Sequence, residues 1–212
     1  MRQILGPMIS GTLVSLSIFF LTLLFSIPLA LPVALARRSK SRIIRGPVSL
    51  YILIMRGTPL ILQLIFVYFA PYYLFNVSYD RFTAVIIAFA INYAAYFAEI
   101  YRGGIDAIPK GQWEAAKVLG LSRAQTLFKI ILPQVVRRIL PAMGNEVITL
   151  VKDTALAQTI GVAELFRAAQ NASARQFSTL PIFIAGLFYF VMNWIVTAAF
   201  EAAERRLSYY KL

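Results

Sequence analysis

The sequence has no cysteine and no histidine, and only 14% of its residues are charged. The first absence excludes disulfides and thiolate chemistry. The second removes the imidazole on which most zinc sites and Ser-His or Cys-His catalysis rely. The shortage of charge excludes more. A soluble globular chain carries about 25% charged and about 45–50% apolar residues, whereas these 212 residues are 59% hydrophobic with a mean hydropathy of +0.71. Too little polar surface is left to wrap a water-soluble core. Acids are scarcest of all: 9 Asp and Glu stand against 21 Lys and Arg, a net charge of +12. Such an excess suits nucleic acid in a soluble protein, but here the basic groups alternate with long apolar runs, which is the pattern of membrane topology. The composition predicts an all-α integral membrane protein without a nucleic-acid partner. No glycine-rich Walker-type phosphate loop is present, and no internal repeat is visible.

A spanning helix needs about 20 mostly apolar residues. Five stretches qualify in one transmembrane unit covering 1–212: about 11–36, 60–75, 82–101, 139–161 and 180–203. The first is too long for a signal-peptide core, and its basic block follows it, so it is expected to stay in the mature chain. The apolar stretch after that block is broken at Arg56-Gly57-Thr58-Pro59, which predicts a short interfacial helix before the break and a span after it. Charge orients the set. Five basic residues (Arg37, Arg38, Lys40, Arg42, Arg45), seven more between Arg102 and Arg138, and Arg205, Arg206 and Lys211 in the tail make fifteen on one side. Arg2, Arg81, Arg167 and Arg175 make four on the other. Positive residues mark the cytoplasm, so the N-terminus is expected outside and the C-terminus inside. Ser15, Ser17, Thr22 and Ser26 in the first span read either as close-packing positions or as pathway lining.

The loop between the third and fourth spans is long and polar. Local rules predict a helix over about Gln112–Leu119, a left-handed turn at Gly120, and a capping box from Ser122 to Gln125 opening a second helix. Ala115, Ala116 and Gly120 leave a small-residue face that another protein can approach. The fourth span holds Asn145, Glu146, Thr149, Lys152 and Asp153. A charge at mid-bilayer costs about 2.5–3.5 kcal/mol on insertion scales, so such residues face a cavity or a partner. Glu146, Thr149 and Asp153 share one helical stripe, with Asn145 on its flank. With Asn92 and Gln63 from the neighbouring spans they are the candidate pathway residues. Lys152 and Asp153 read either as gating charges or as structural partners of another span. Glu99 and Arg102, three apart, read as a local ion pair.

Glu114-Ala115-Ala116, then Gly120, Ile130 and Leu132-Pro133, resembles the EAA loop of ABC importer permeases. Arg56-Gly57-Thr58-Pro59-Leu60 with Gln63, the run Ala98 to Ile105, Pro109-Lys110-Gly111-Gln112, Leu140-Pro141-Ala142 with Asn145, and Lys152-Asp153-Thr154 are similar to the polar amino-acid (histidine/glutamine-type) branch. Ala155 departs from that pattern, in which Ser usually follows Lys-Asp-Thr. The resemblance implies a multi-pass permease subunit in a bacterial cytoplasmic (inner) membrane that moves polar amino acids and has no catalytic site, cofactor or metal of its own. It further implies a second permease copy or paralogue, and an extracytoplasmic amino-acid-binding protein. Two cytoplasmic ABC ATPase subunits would bind ATP and Mg and dock on the loop 112–133. The contrasting readings are a stand-alone secondary transporter or channel, which needs no docking loop and usually shows repeated halves, and a membrane-embedded enzyme, for which no metal-spaced acid cluster exists.

The topology is directly testable, because the chain has no native cysteine. Single cysteines at Ser41 and Gln125 are expected to react with an impermeant maleimide only from the cytoplasmic side, and one at Asn171 only from outside. External labelling at Gln125 would reverse the orientation.

Overall fold

The computed structural model describes residues 2–207, with side chains from Leu5 onward; Lys211 and the side chain of Arg2, both counted in the charge asymmetry, lie outside the described residues. The described residues are helical with short connections. In chain order they form α1 (Arg2–Arg37), α2 (Arg42–Gly57), α3 (Leu60–Phe75), α4 (Arg81–Asp106), α5 (Lys110–Val118), α6 (Arg123–Gln125), a π-helical stretch (Thr126–Ile131), α7 (Leu132–Asp153), a 3-10 stretch (Thr154–Ile160), α8 (Leu165–Gln176) and α9 (Leu180–Leu207).

Among the described residues, three helices are long and apolar enough to cross a membrane: Leu5–Arg37, Arg81–Asp106 and Leu180–Leu207. Residues Arg42–Gly57 and Leu60–Phe75 pass the same test as a pair, but they meet at a bend of 113°. The stretch expected over 139–161 is α-helical over Leu132–Asp153 and 3-10 over Thr154–Ile160. Arg137, Arg138, Glu146, Lys152 and Asp153 keep α7 from reading as an uninterrupted apolar span.

α4 is the centre. Its buried face runs through Ala84, Ala88, Phe89, Tyr93, Ala94, Ala95, Phe97 and Ala98. The alanines let α1 lie close along it, since small residues bring backbones together where lipid supplies no hydrophobic drive. Pro28 and Pro32 sit inside α1 without breaking it. α9 packs on α7 and α8 at the periphery, and its outer side exposes Phe183, Leu187, Phe190 and Trp194, a surface for hydrocarbon.

Element ends follow local chemistry. Asp80 caps α4 by accepting from the Thr83 amide at 2.9 Å, and hydrogen bonding from the Thr83 side chain, with that amide second, holds its carboxyl below the usual carboxylate range. Pro59, which has no N–H to donate, stands between α2 and α3. The expected capping box is present: Ser122 Oγ accepts from the Gln125 amide at 3.2 Å and Gln125 Oε1 from the Ser122 amide at 2.9 Å. The helix it opens is α-helical for three residues and then widens to π geometry.

Helix contacts are tightest at two glycines. A Cβ on Gly104 would stand 2.2 Å from Ile139 Cγ2 and 2.9 Å from Val135 Cγ1, and one on Gly11 would stand 2.9 Å from the backbone of Glu164 and Leu165. Gly103, next to Gly104, has open space around it. Gly104→Ala is expected to destabilise the α4–α7 contact by about 1–3 kcal/mol, whereas Gly103→Ala is expected to be neutral. Thermal unfolding of the detergent-solubilised protein checks the contrast, and equal midpoints for the two variants would refute the packing argument.

Candidate functional site

The loop after α4 presents a short helix to solvent. In α5, Glu114 and Ala115 are exposed while Ala116 is buried, and Val118 and Leu119 are 88% and 76% exposed at its end. Gly120 has φ 72, the left-handed geometry expected of it, with open space around the position. The opposite side of α5 is anchored. Trp113 packs against the core, and the Arg38 guanidinium lies over its ring at 5.9 Å. Gln134 Nε2 donates to Gln112 Oε1 at 3.3 Å, and Arg138 donates to the Ala107 carbonyl. A helix held on one side, with an apolar tip outward on the other, can transmit a push from a docked partner to α1, α4 and α7.

A polar stripe runs along α7. Asn145, Thr149 and Lys152 are exposed, and Glu146 and Asp153 are half-buried beside them. Thr149 Oγ1 turns back to the Asn145 carbonyl at 3.0 Å. Asp153 accepts from the hydroxyl of Tyr93, a 2% exposed residue of α4, at 2.7 Å. Glu146 stands within electrostatic reach of Arg56 and Asp153. Polar groups laid open along a helix of a membrane protein require a water-filled path or a protein neighbour, because hydrocarbon solvates neither amide nor charge.

Gln63 and Asn92 lie together at the α2–α3 break. Gln63 Nε2 donates to the Met55 carbonyl at 3.0 Å and to Thr58 Oγ1 at 2.8 Å. Asn92 Nδ2 donates to Gln63 Oε1 at 2.8 Å and to the same Met55 carbonyl at 3.0 Å. Both side chains are buried, and they satisfy carbonyls that the bend takes out of the helical ladder.

The expected pair of Glu99 with Arg102 is present at 2.8 Å, inside a larger cluster. Arg102 also meets Asp106 at 3.0 Å, and Arg38 meets Asp106 at 2.8 Å. The largest omission of the sequence reading is Glu164. This fully buried carboxylate accepts from the Phe166 and Arg167 amides at 2.7 Å each, from the Tyr189 hydroxyl at 2.9 Å and from Ser15 Oγ at 3.4 Å. It thereby caps α8 and ties it to α1 and α9. The one signal available was an isolated acid in an apolar neighbourhood.

Comparison with known proteins places the sequence and the fold. Residues 26–209 match the family described as "Binding-protein-dependent transport system inner membrane component". The L-cystine transport system permease protein TcyB of Bacillus subtilis (strain 168) is 42% identical over 212 residues, which cover 99% of this chain and 90% of that one. The arginine transport system permease protein ArtQ of the same organism is 38% identical over 200 residues, 94% of this chain and 91% of its own. Among solved structures, an amino acid ABC transporter crystallised with histidines superposes with a TM-score of 0.86 at 37% identity, covering 95% of this chain and 94% of that one. The inward-facing MetNI methionine transporter shares the fold, with a TM-score of 0.82 at 17% identity over 98% of this chain and 99% of that one. The EAA-type loop, the helical fold and the extent of the match together establish that the chain is a multi-pass membrane protein belonging to the family of binding-protein-dependent transport system inner membrane components.

Proposed function

We propose that this chain is the permease subunit of an ABC importer for polar amino acids in a bacterial cytoplasmic membrane, with five spans, its N-terminus outside and its C-terminus inside. The observation that carries the reading is α5, a short helix anchored through Trp113 and Arg38 with Glu114, Ala115 and an apolar tip turned outward. It is the docking element for a cytoplasmic ATPase, and Gly120 lets the chain reverse beneath it. ATP and Mg belong to that separate subunit, of which the complete importer holds two. The open polar stripe of α7 makes this chain half of a pathway, completed by a second permease copy or a paralogue. An extracytoplasmic binding protein delivers the substrate. The names of the relatives, which carry cystine, arginine or glutamine, support an amino-acid substrate and leave its side chain open. The family match weighs against a stand-alone secondary transporter or channel.

Within the pathway, Asn145, Glu146 and Thr149 face the substrate and Lys152 and Asp153 act as gating or structural charges. Gln63 and Asn92 support the wall from the bend. Every amino acid brings an α-ammonium group, which the Glu146 carboxylate can meet, and a basic side chain brings a second positive charge.

Two outcomes are expected. Gly120→Asp places a side chain at φ 72 against the docked partner; transport and substrate-stimulated ATPase activity should fall at least roughly tenfold while the amount of permease in the membrane is unchanged. Normal activity would remove the docking role from α5. Glu146→Gln keeps shape and hydrogen bonding, and uptake of a basic amino acid should fall more than uptake of a neutral one. Equal loss for both would make Glu146 a structural residue.

A further inference from the structure

Four guanidiniums converge on two carboxylates at the basic end of the helices: Arg37 of α1, Arg38 just after it, Arg56 of α2 and Arg102 of α4 surround Glu99 and Asp106. The pairing is uneven. Arg102 engages Glu99 through contacts of 3.1, 3.1 and 2.8 Å, and Asp106 is shared by Arg38 and Arg102. Arg37 and Arg56 come no closer to Glu99 than 3.7 and 3.8 Å, beyond hydrogen-bond distance. Arg56 rests its guanidinium on the Tyr96 ring at 5.4 Å, which uses its face and leaves its edge. Arg37 donates once to the Ser49 hydroxyl, and its buried Nε has no hydrogen-bond partner among the described residues.

Both arginines line one cavity of about 610 Å³, completed by Ser49, Ile52, Leu53 and Glu99. The cluster sets four guanidiniums against two carboxylates, and Arg37 and Arg56, both partly exposed, are the two left free to take up an added anion. The planar guanidinium fork suits an oxyanion such as phosphate. The cavity also borders an apolar surface. Leu53 is 69% exposed, and Leu50 and Ile54 lie on the same face of α2 at 57% and 45%. Arg42 and Arg45 open that helix, so a basic start and an apolar face place it along a membrane surface.

A ligand that joins an oxyanion to an apolar tail satisfies both halves of this site. We propose that the cavity binds the headgroup of an anionic phospholipid, its phosphate between Arg37 and Arg56 and its acyl chains along Leu50, Leu53 and Ile54. Basic pockets between helices on the cytoplasmic side of a membrane bind anionic headgroups in this manner.

The test uses the permease assembly as purified from membranes, reconstituted in phosphatidylcholine nanodiscs with a trace of photoactivatable phosphatidylglycerol. Cross-links should concentrate on peptides covering 37–57, above the level on the lipid-facing side of α9, and this measurement needs no variant. Arg37→Gln and Arg56→Gln should each lower labelling roughly fivefold, by the weight of one basic residue at a membrane surface, while Arg42→Gln should leave the distribution over this cavity in place. Inorganic phosphate should compete poorly, since it has no tail. Labelling spread evenly over the lipid-facing surface would overturn the proposal, as would a cavity closed to lipid by the second permease copy. Full displacement by inorganic phosphate would overturn the lipid as the source of the anion.

Discussion

Hydrocarbon offers no hydrogen bonds, and this fold is arranged around that constraint. A helix that bends by 113° inside or beside a bilayer leaves carbonyls with no amide below them. Here the Met55 and Thr58 carbonyls are met by the Gln63 and Asn92 amides, which also bond each other. The bend is thereby fixed by α4, the most buried helix, so the break at Gly57-Thr58-Pro59 is a rigid corner rather than a loose joint. Tyr93, the next residue of α4, donates its hydroxyl to the Asp153 carboxylate.

How much of this the sequence reveals depends on how local the physics is. The apolar runs that became α1, α4 and α9 are visible because length and hydropathy need no partner. The Ser122–Gln125 capping box, the left-handed Gly120 and the Glu99–Arg102 pair are visible because they lie within four residues of themselves. The same rules do not reveal a turn that widens to π geometry over Thr126–Ile131, because the next element decides that. Logic for polar residues in spans identifies Gln63 and Asn92 as needing partners, but it does not say that the partners are backbone carbonyls at the helix break. Glu164 is the extreme case. Its donors include Ser15 and Tyr189, far away in the chain, and no spacing rule joins them.

The charge pattern has two components that composition merges. One is the positive excess that marks the cytoplasmic side in the proposed orientation. The other is the cluster around Glu99 and Asp106, which links the end of α1 to α2 and α4 and, through Arg38 and Trp113, to α5. Movement of α5 would therefore reach the broken pair α2–α3 through side chains already in contact. The exposed stripe of α7 is tied to the same α4 through the Tyr93–Asp153 hydrogen bond, so one helix supports both the charge cluster and the polar face.

The Glu164 network also bears on the order in which the protein is made. Its carboxylate draws donors from α1, from the first turn of α8 and from α9. During synthesis Ser15 emerges first and the α8 amides appear beside the acid, but Tyr189 is translated 25 residues later. Until α9 inserts, a buried carboxylate lacks the phenol that completes its shell, and α8 has no fixed attachment to the last span. Closure of the tertiary structure thus coincides with the arrival of the final helix, and a chain that stops short of α9 would display an incompletely paired acid to the membrane's quality-control machinery.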